Sequence, residues 1–303
     1  MVGLVVRLIG RCFCYLALAV PFTLPLQAAA DNASAVPLAS VSAAVVDLRS
    51  GELMYGKHED VVLPIASLTK VMTALVVVES DLPLDEWLSI ADWQGKLTKN
   101  AYSRIRINSQ ARRSDLLRIA LMSSENRAAY NLGVHYPGGV EGLVQAMNAK
   151  AGALGMDDTQ FADPTGLSVG NRSSARDLSR LLVAAHAHPE IREFSTTRQY
   201  TVNFRQPRYR LGYGNTNPLL GSGRWNVSLT KTGYLTEAGR CLVMVSTMDG
   251  KEVAVVFLNS LGKRSPLGDA GRIRRWLEQG THGSVAQAAR AHEQRVRAEL
   301  GLL

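Results

Sequence analysis

Short apolar runs bounded by turn residues open the chain after residue 40, and longer apolar stretches at helical spacing follow them. Residues 43–47 and 53–55 flank Arg49-Ser50-Gly51, which predicts two strands joined by a turn. "SLTKVMTALVVVES" is apolar at Leu68, Val71, Met72, Leu75, Val76, Val77 and Val78, on nearly every side, so this helix lies in the middle of a domain. The alternating "SRIRI" at 103–107 predicts a short strand. "LLRIALM" predicts a helix capped by Ser114-Asp115 and stopped at "SSEN". A further helix starts over 126–132 and ends at Pro137-Gly138-Gly139. Another spans 140–156, apolar at Val140, Leu143, Val144 and Met147 and terminated by Gly152 and Gly155. Ser174 caps "ARDLSRLLVAAHAH", which Pro189 closes.

The later part of the chain changes period. "YTVNF" is strand-like and runs into an Asn/Gly/Pro loop. "NVSLTKTGY" follows as an edge strand, and then "GRCLVMVSTM" and "KEVAVVFLN" flank Asp249-Gly250, a strong hairpin signal. A helix near 267–279 comes last. Helices precede a hairpin instead of alternating with strands, so the fold class is α+β: an antiparallel sheet with helices on its faces.

Of the 303 residues, 46% are hydrophobic and 20% charged. That composition suits one large globular domain, or one with an inserted lobe, and excludes a disordered or fibrous chain. Residues 1–30 place Arg7 and Arg11 before an apolar run and end in Ala28-Ala29-Ala30, the order of a signal peptide for export to the periplasm. Pro21 and Pro25 shorten the run and argue against a retained anchor. Residues 31–41 read as a loose leader, 42–280 as the catalytic domain and 281–303 as a charged tail. Removing the signal takes away Cys12 and Cys14 and lowers the formal charge from +8 to +6. Cys241 alone remains, so the exported chain forms no internal disulfide. Residues 262–303 hold eight Lys/Arg against four acids. That surplus fits an anionic envelope or membrane surface better than nucleic acid, for which no motif is present.

Three stretches carry candidate chemistry. Ser67 and Lys70 stand three apart on one helix face, so the lysine can reach the serine oxygen. A serine hydroxyl needs such a base, and a lysine acts as one only when burial or a neighbouring cation lowers its pKa. The helix N-terminus beside Ser67 favours the anion that forms. S-x-x-K alone is more often structural, but "SSEN" adds Ser124 and Asn126, and "SLTKTGY" adds Lys231, Thr232 and Gly233. Ser124 can bridge the two lysines and pass a proton to a leaving amine. Asn126 can hold a substrate peptide group. Lys231 supplies the second cation, lowering the Lys70 pKa and attracting a substrate carboxylate that Thr232 also binds. Gly233 leaves the strand edge open to an added peptide strand. The backbone amides of Ser67 and Tyr234 are the candidate oxyanion donors.

S-x-x-K, S-x-N and K-T-G in this order resemble the penicillin-binding proteins and class A β-lactamases. Together with "SSENRAAYNLGVHYPGG", "FADPTGLS", "NTNPLL" and "TKTGYLTEAGRCLVM", they resemble the low-molecular-mass D-alanyl-D-alanine endopeptidases over roughly residues 40–280. The resemblance implies the serine β-lactamase/DD-peptidase-like fold, a five-stranded antiparallel sheet flanked by helices plus a helical lobe. It implies an acyl-enzyme on Ser67, D-alanyl cross-links and peptide stems of peptidoglycan as substrate, and β-lactams as inhibitors, with no cofactor. Only 70 residues follow Gly233, which favours the endopeptidase branch over carboxypeptidases that carry a second β-rich domain.

Other readings are weaker. Glu125 fills the variable place of S-x-N and receives no catalytic role. Residues 163–166 read as a turn that the resemblance puts in the wall of the site. Asn171 and Asn217 read as loop-stabilising. Trp87, Trp93 and Tyr102 beside Lys96, Lys99 and Arg104 suggest either a glycan-facing lip or ordinary packing. No histidine has a partner at metal spacing, and G-x-S-x-G is missing, so neither a zinc peptidase nor an α/β-hydrolase is supported. Glu141, the only glutamate in 140–180, lies outside any β-lactamase motif, so penicillin is released slowly. The competing functions are a D-Ala-D-Ala carboxypeptidase and a non-catalytic peptidoglycan-binding protein. The tail reads as an exposed or frayed helix, with weak attachment to anionic lipid or an envelope protein as the alternative.

Overall fold

The computed structural model describes residues 1–3, 36–93 and 102–302. The chain divides into Met1–Asn32 and Ala33–Leu303, and every helix and strand described lies in the second unit. The signal-peptide reading falls on residues outside the described ones, apart from the first three, as do Lys96 and Lys99. In chain order the elements are β1 (Ser42–Asp47), β2 (Leu53–Lys57), β3 (Leu63–Pro64), α1 (Thr69–Val78), β4 (Trp87–Ser89) and β5 (Gln110–Arg112). Next come α2 (Arg113–Met122), α3 (Asn126–Val134), α4 (Gly139–Ala153), β6 (Arg172–Ser173), α5 (Ala175–His186) and α6 (Pro189–Thr196). The hairpin β7 (Gln199–Phe204) and β8 (Tyr209–Gly214) precedes β9 (Val227–Leu235), β10 (Gly239–Met248), β11 (Lys251–Ser260), α7 (Ser265–Gln279) and α8 (Gln287–Glu299).

The main sheet is five-stranded and antiparallel, in the order β2-β1-β11-β10-β9. Its inner strands are apolar on both faces because both are covered. Ala44, Val46, Val243, Val245, Ala254 and Val256 pack with residues of α1, α2 and α5, while Ala43, Val45, Leu242, Met244, Val253 and Val255 face Ala270 and Ile273 of α7. Successive residues alternate between the two cores, as the two-residue period of a strand requires. Each fully buried Val or Leu contributes roughly 1.5–3 kcal/mol. Residues 69–77 of α1 are all buried, so its all-round apolar surface is accounted for by its central position. The edge strand β9 lies against the turn that precedes α1, which brings the K-T-G and S-x-x-K segments together.

Several local expectations are corrected. Residues 103–107 form no strand: Arg127 Nη1 donates to the Ile105 carbonyl, Ser103 Oγ accepts from the Ile105 amide and Tyr209 Oη from the Arg106 amide, so side chains replace a ladder. Ser114 does not cap α2, whose first amides donate instead to the main-chain oxygens of Glu86 and Leu84. Pro189 opens a further helix, α6, which the sequence reading lacked. Tyr209–Gly214, read as loop, pairs with β7. Residues 36–41 are not a loose leader, because the Asp269 carboxylate accepts from the amides of Ala39 and Ser40, each at 2.9 Å, and from Ser40 Oγ at 2.6 Å. The tail does not stand free either: α8 buries Ala289 and Val296 and pairs Glu293 with Lys57 at 3.3 Å. Among the described residues, no helix is long and apolar enough to cross a membrane.

Candidate active site

Ser67 sits in a single 3₁₀ turn, Ala66–Leu68, that runs directly into α1. Ala66 has a φ of +47°, so the turn is tight and strained immediately before the serine. Lys70 occupies the first turn of α1, 1% exposed, and its Nζ lies 3.1 Å from Ser67 Oγ and 2.8 Å from Asn126 Oδ1. A third hydrogen bond runs from Nζ to the main-chain oxygen of Thr165. These three acceptors fix the amine beside the hydroxyl.

Burial pushes the Lys70 amine down to about 7, opposed by the negative charges of Asp163 and Glu125. Lys231, equally buried on β9, is held well below its ordinary range by burial first and by the charge on Lys70 second. The sequence reading had Lys231 depressing Lys70; burial is instead the main cause for both amines. Lys231 Nζ donates to the Thr232 carbonyl at 2.9 Å. Two ammonium groups in one low-dielectric pocket cannot both stay charged cheaply, so one of them is available as a neutral base near neutral pH.

A cavity of 1020 Å³ opens at Ser67, lined as well by Ser124, Asn126, Thr216, Thr232, Gly233 and Tyr234 among others. Its lining includes no carboxylate among the described residues. Ser124, in the left-handed region at φ +62°, is the middle residue of the α2–α3 connection and lines the cavity; among the described residues neither lysine donates to it, so the expected bridge between the two amines is not formed. Asn126 begins α3, which Glu125 caps by accepting from the Ala128 amide at 2.7 Å. Burial raises the Glu125 carboxyl. Thr232 Oγ1 donates to Thr216 Oγ1 at 2.7 Å, a partner the sequence reading did not name. At Gly233 a β-carbon would stand 3.1 Å from the Ile65 oxygen and 3.3 Å from the Ser67 nitrogen. The bare strand therefore lets β9 approach the serine turn.

The larger omission is the loop 163–166. Asp163 Oδ1 accepts from the amides of Thr165 and Gly166 and from Thr165 Oγ1, and Oδ2 accepts from the Ser168 amide and Asn171 Nδ2. This cage presents the Thr165 carbonyl to Lys70, while Thr73 Oγ1 donates to the Pro164 carbonyl at 2.7 Å. Asn171 is fully buried inside the loop, and Asn217 holds Thr230 Oγ1 at 2.9 Å and the Leu219 amide at 3.0 Å. Dense Asp, Thr, Gly and Asn in a turn was the available signal, but nothing in it specified contact with a lysine 95 positions away. Of the aromatic lip, Trp93 stacks on Tyr130 at 4.3 Å, and Tyr102 is exposed.

A serine with a buried lysine at hydrogen-bond distance, on a five-stranded antiparallel sheet flanked by helices, defines a serine hydrolase of the DD-peptidase class. A family profile described as D-alanyl-D-alanine carboxypeptidase matches residues 28–262, and the chain belongs to that family. It is 50% identical to the D-alanyl-D-alanine endopeptidase of Pseudomonas aeruginosa, over 88% of this chain and 86% of that one. It is 47% identical to the D-alanyl-D-alanine endopeptidase of Escherichia coli K12, over 94% and 93%. Penicillin-binding protein D2 from Listeria monocytogenes, solved in its cefotaxime-bound form, superposes with a TM-score of 0.68 at 30% identity, covering 78% of this chain and 96% of that one.

Proposed function

We propose that the protein is an exported serine DD-endopeptidase that cuts D-alanyl cross-links in peptidoglycan through an acyl-enzyme on Ser67. The observation that carries this reading is the buried Lys70 amine, held to about 7 and 3.1 Å from the Ser67 hydroxyl. Neutral Lys70 takes the Ser67 proton as Oγ bonds to the D-alanyl carbonyl carbon, and the amides of Ser67 and Tyr234 stabilise the oxyanion. Ser124 relays the proton to the leaving amine as the C–N bond breaks. Lys231 and Thr232 hold a carboxylate on the leaving residue. An incoming carboxylate favours protonated Lys231, and that cation favours neutral Lys70, so binding itself prepares the base. Water then attacks the ester and regenerates Ser67. Slow release of a penicilloyl group is supported by the cavity lining, in which no acidic side chain among the described residues stands ready to activate water.

Endopeptidase over carboxypeptidase action is supported by the two endopeptidase relatives, each matched over most of its length. Export to the periplasm is supported by the N-terminal pattern of Arg7, Arg11, the apolar run and Ala28-Ala29-Ala30. Incubation of the chain lacking residues 1–30 with purified cross-linked and uncross-linked muropeptides, read by mass spectrometry, tests the reading. Conversion of dimers to monomers, abolished in Ser67→Ala, is expected. Release of terminal D-alanine alone would make it a carboxypeptidase, and no product with no penicillin adduct would leave a binding protein.

A further inference from the structure

A second cavity, of 790 Å³, lies away from Ser67 between the short strands β4 and β5 and the hairpin β7–β8. Four arginines, Arg112, Arg205, Arg208 and Arg210, line it together with Trp87 and Tyr209. Arg205 and Arg112 both stack on the Trp87 ring, with guanidinium carbons 3.7 and 5.4 Å from its centre. Asp115 also lines the recess and accepts from Tyr200 Oη at 2.5 Å, so four guanidinium groups share the recess with one carboxylate. Among the described residues, no ion pair reaches any of the four lining arginines. Four guanidinium groups, two of them stacked on Trp87, outnumber the one carboxylate in the recess and are suited to bidentate capture of further carboxylates.

One strand runs from the recess toward the site of chemistry. Strand β8 contributes Tyr209 and Arg210 to it, and at its other end contributes Gly212, Tyr213 and Gly214 to a smaller cavity of 380 Å³. That cavity is lined as well by Ser124 and Asn126, which border the catalytic cavity. We propose that the arginine recess is a second binding site for a peptide carrying free carboxylates, namely a neighbouring stem of the polymer whose cross-link occupies the cleft. The proposal rests on the peptidoglycan reading given above. A polymer leaving the cleft past Ser124 follows β8 to the arginines, whereas a bilayer presents a flat field of headgroups that matches neither the recess nor this path.

The test uses the chain lacking residues 1–30 as Ser67→Ala, with and without Arg208→Gln/Arg210→Gln. Arg112 and Arg205 are left in place because they pack on Trp87. Sedimentation with intact sacculi is compared with sedimentation with sacculi whose free carboxylates have been converted to methylamides. The glutamine pair is expected to bind native sacculi roughly tenfold more weakly, the loss of about one charge-assisted contact. Methylamidation should bring both chains to the same weak level, and Arg208→Lys/Arg210→Lys, which keeps the charge but not the bidentate fork, should bind between the parent and the glutamine pair. Equal binding of parent and glutamine pair to native sacculi overturns the site. Arginine-dependent capture by phosphatidylglycerol vesicles in preference to sacculi also overturns it, in favour of lipid. Because binding is read without turnover, failure to cleave muropeptides would overturn the proposed activity and leave this result standing.

Discussion

Gly166 lies directly behind Ser67: a β-carbon built on it would fall 2.9 Å from the serine nitrogen and 2.0 Å from the carbonyl oxygen of Ala66. Its φ of +81° independently selects glycine. Gly166→Ala must therefore displace the serine turn or the loop that holds Lys70. Since a misplacement of about 1 Å can cost roughly 10²-fold in rate, acylation by penicillin is expected to fall by about that factor. A Gly166→Ala enzyme acylated at the parental rate would show that the two segments are not rigidly coupled.

The protonation of Lys70 sets the pH dependence. The amine acts as base only when neutral, and burial brings it to about 7. Below that pH the protonated form dominates and acylation slows; the rate is expected to climb as pH rises through about 7 and then level off. Stopped-flow acylation by a chromogenic β-lactam across this range checks it. Lys70→Arg, charged at every accessible pH, should lose acylation throughout instead of shifting the midpoint.

Asp163 is a positioning residue that acts on Lys70 through the Thr165 carbonyl and through its own charge. That charge raises the Lys70 pKa, so Asp163→Asn is expected to move the acylation midpoint to lower pH. The amide also cannot accept from all five donors, and each amide left unpaired costs roughly 1–3 kcal/mol. A lowered Tm with an unmoved pH midpoint would reduce Asp163 to a packing role.

The main sheet and its β10–β11 hairpin were legible because strands buried on both faces and an Asp-Gly turn are local signals. The sequence motifs named Ser67, Lys70, Ser124, Asn126 and Lys231 together; the structure puts Lys70 within hydrogen-bond reach of Ser67 and Asn126, Ser124 in the lining of the same cavity and Lys231 on β9, and their chemical roles are the proposal made above. What escaped was decided by distant partners. Residues 103–107 alternate like a strand, yet Arg127, Ser103 and Tyr209 take their backbone groups. Residues 36–41 carry no periodicity, yet Asp269, some 230 positions later, fixes them. The loop 163–166 announced a turn, but its contact with Lys70 exists only once α1 and the loop pack together.

The tail supplies the last prediction, since its charge suggested a surface attachment while its packing suggests a structural clamp. Val285 and Ala289 form a small apolar cluster with Ala39, and Val296 is buried. Glu293 pairs with Lys57 at 3.3 Å and with Arg297 at 3.5 Å. Lys57 also donates to the carbonyls of Leu38 and Ser40, so α8 secures the segment that enters β1. Burial lowers the Lys57 amine and Glu293 opposes the shift, so removing the glutamate leaves a largely buried cation without its ion-pair partner. Deleting residues 286–303 is therefore expected to destabilise the domain by roughly 2–4 kcal/mol. At about 2–4 °C per kcal/mol for a domain of this size, the loss is readable by thermal unfolding. An unchanged Tm, accompanied by loss of binding to anionic vesicles, would return the tail to a surface-attachment role.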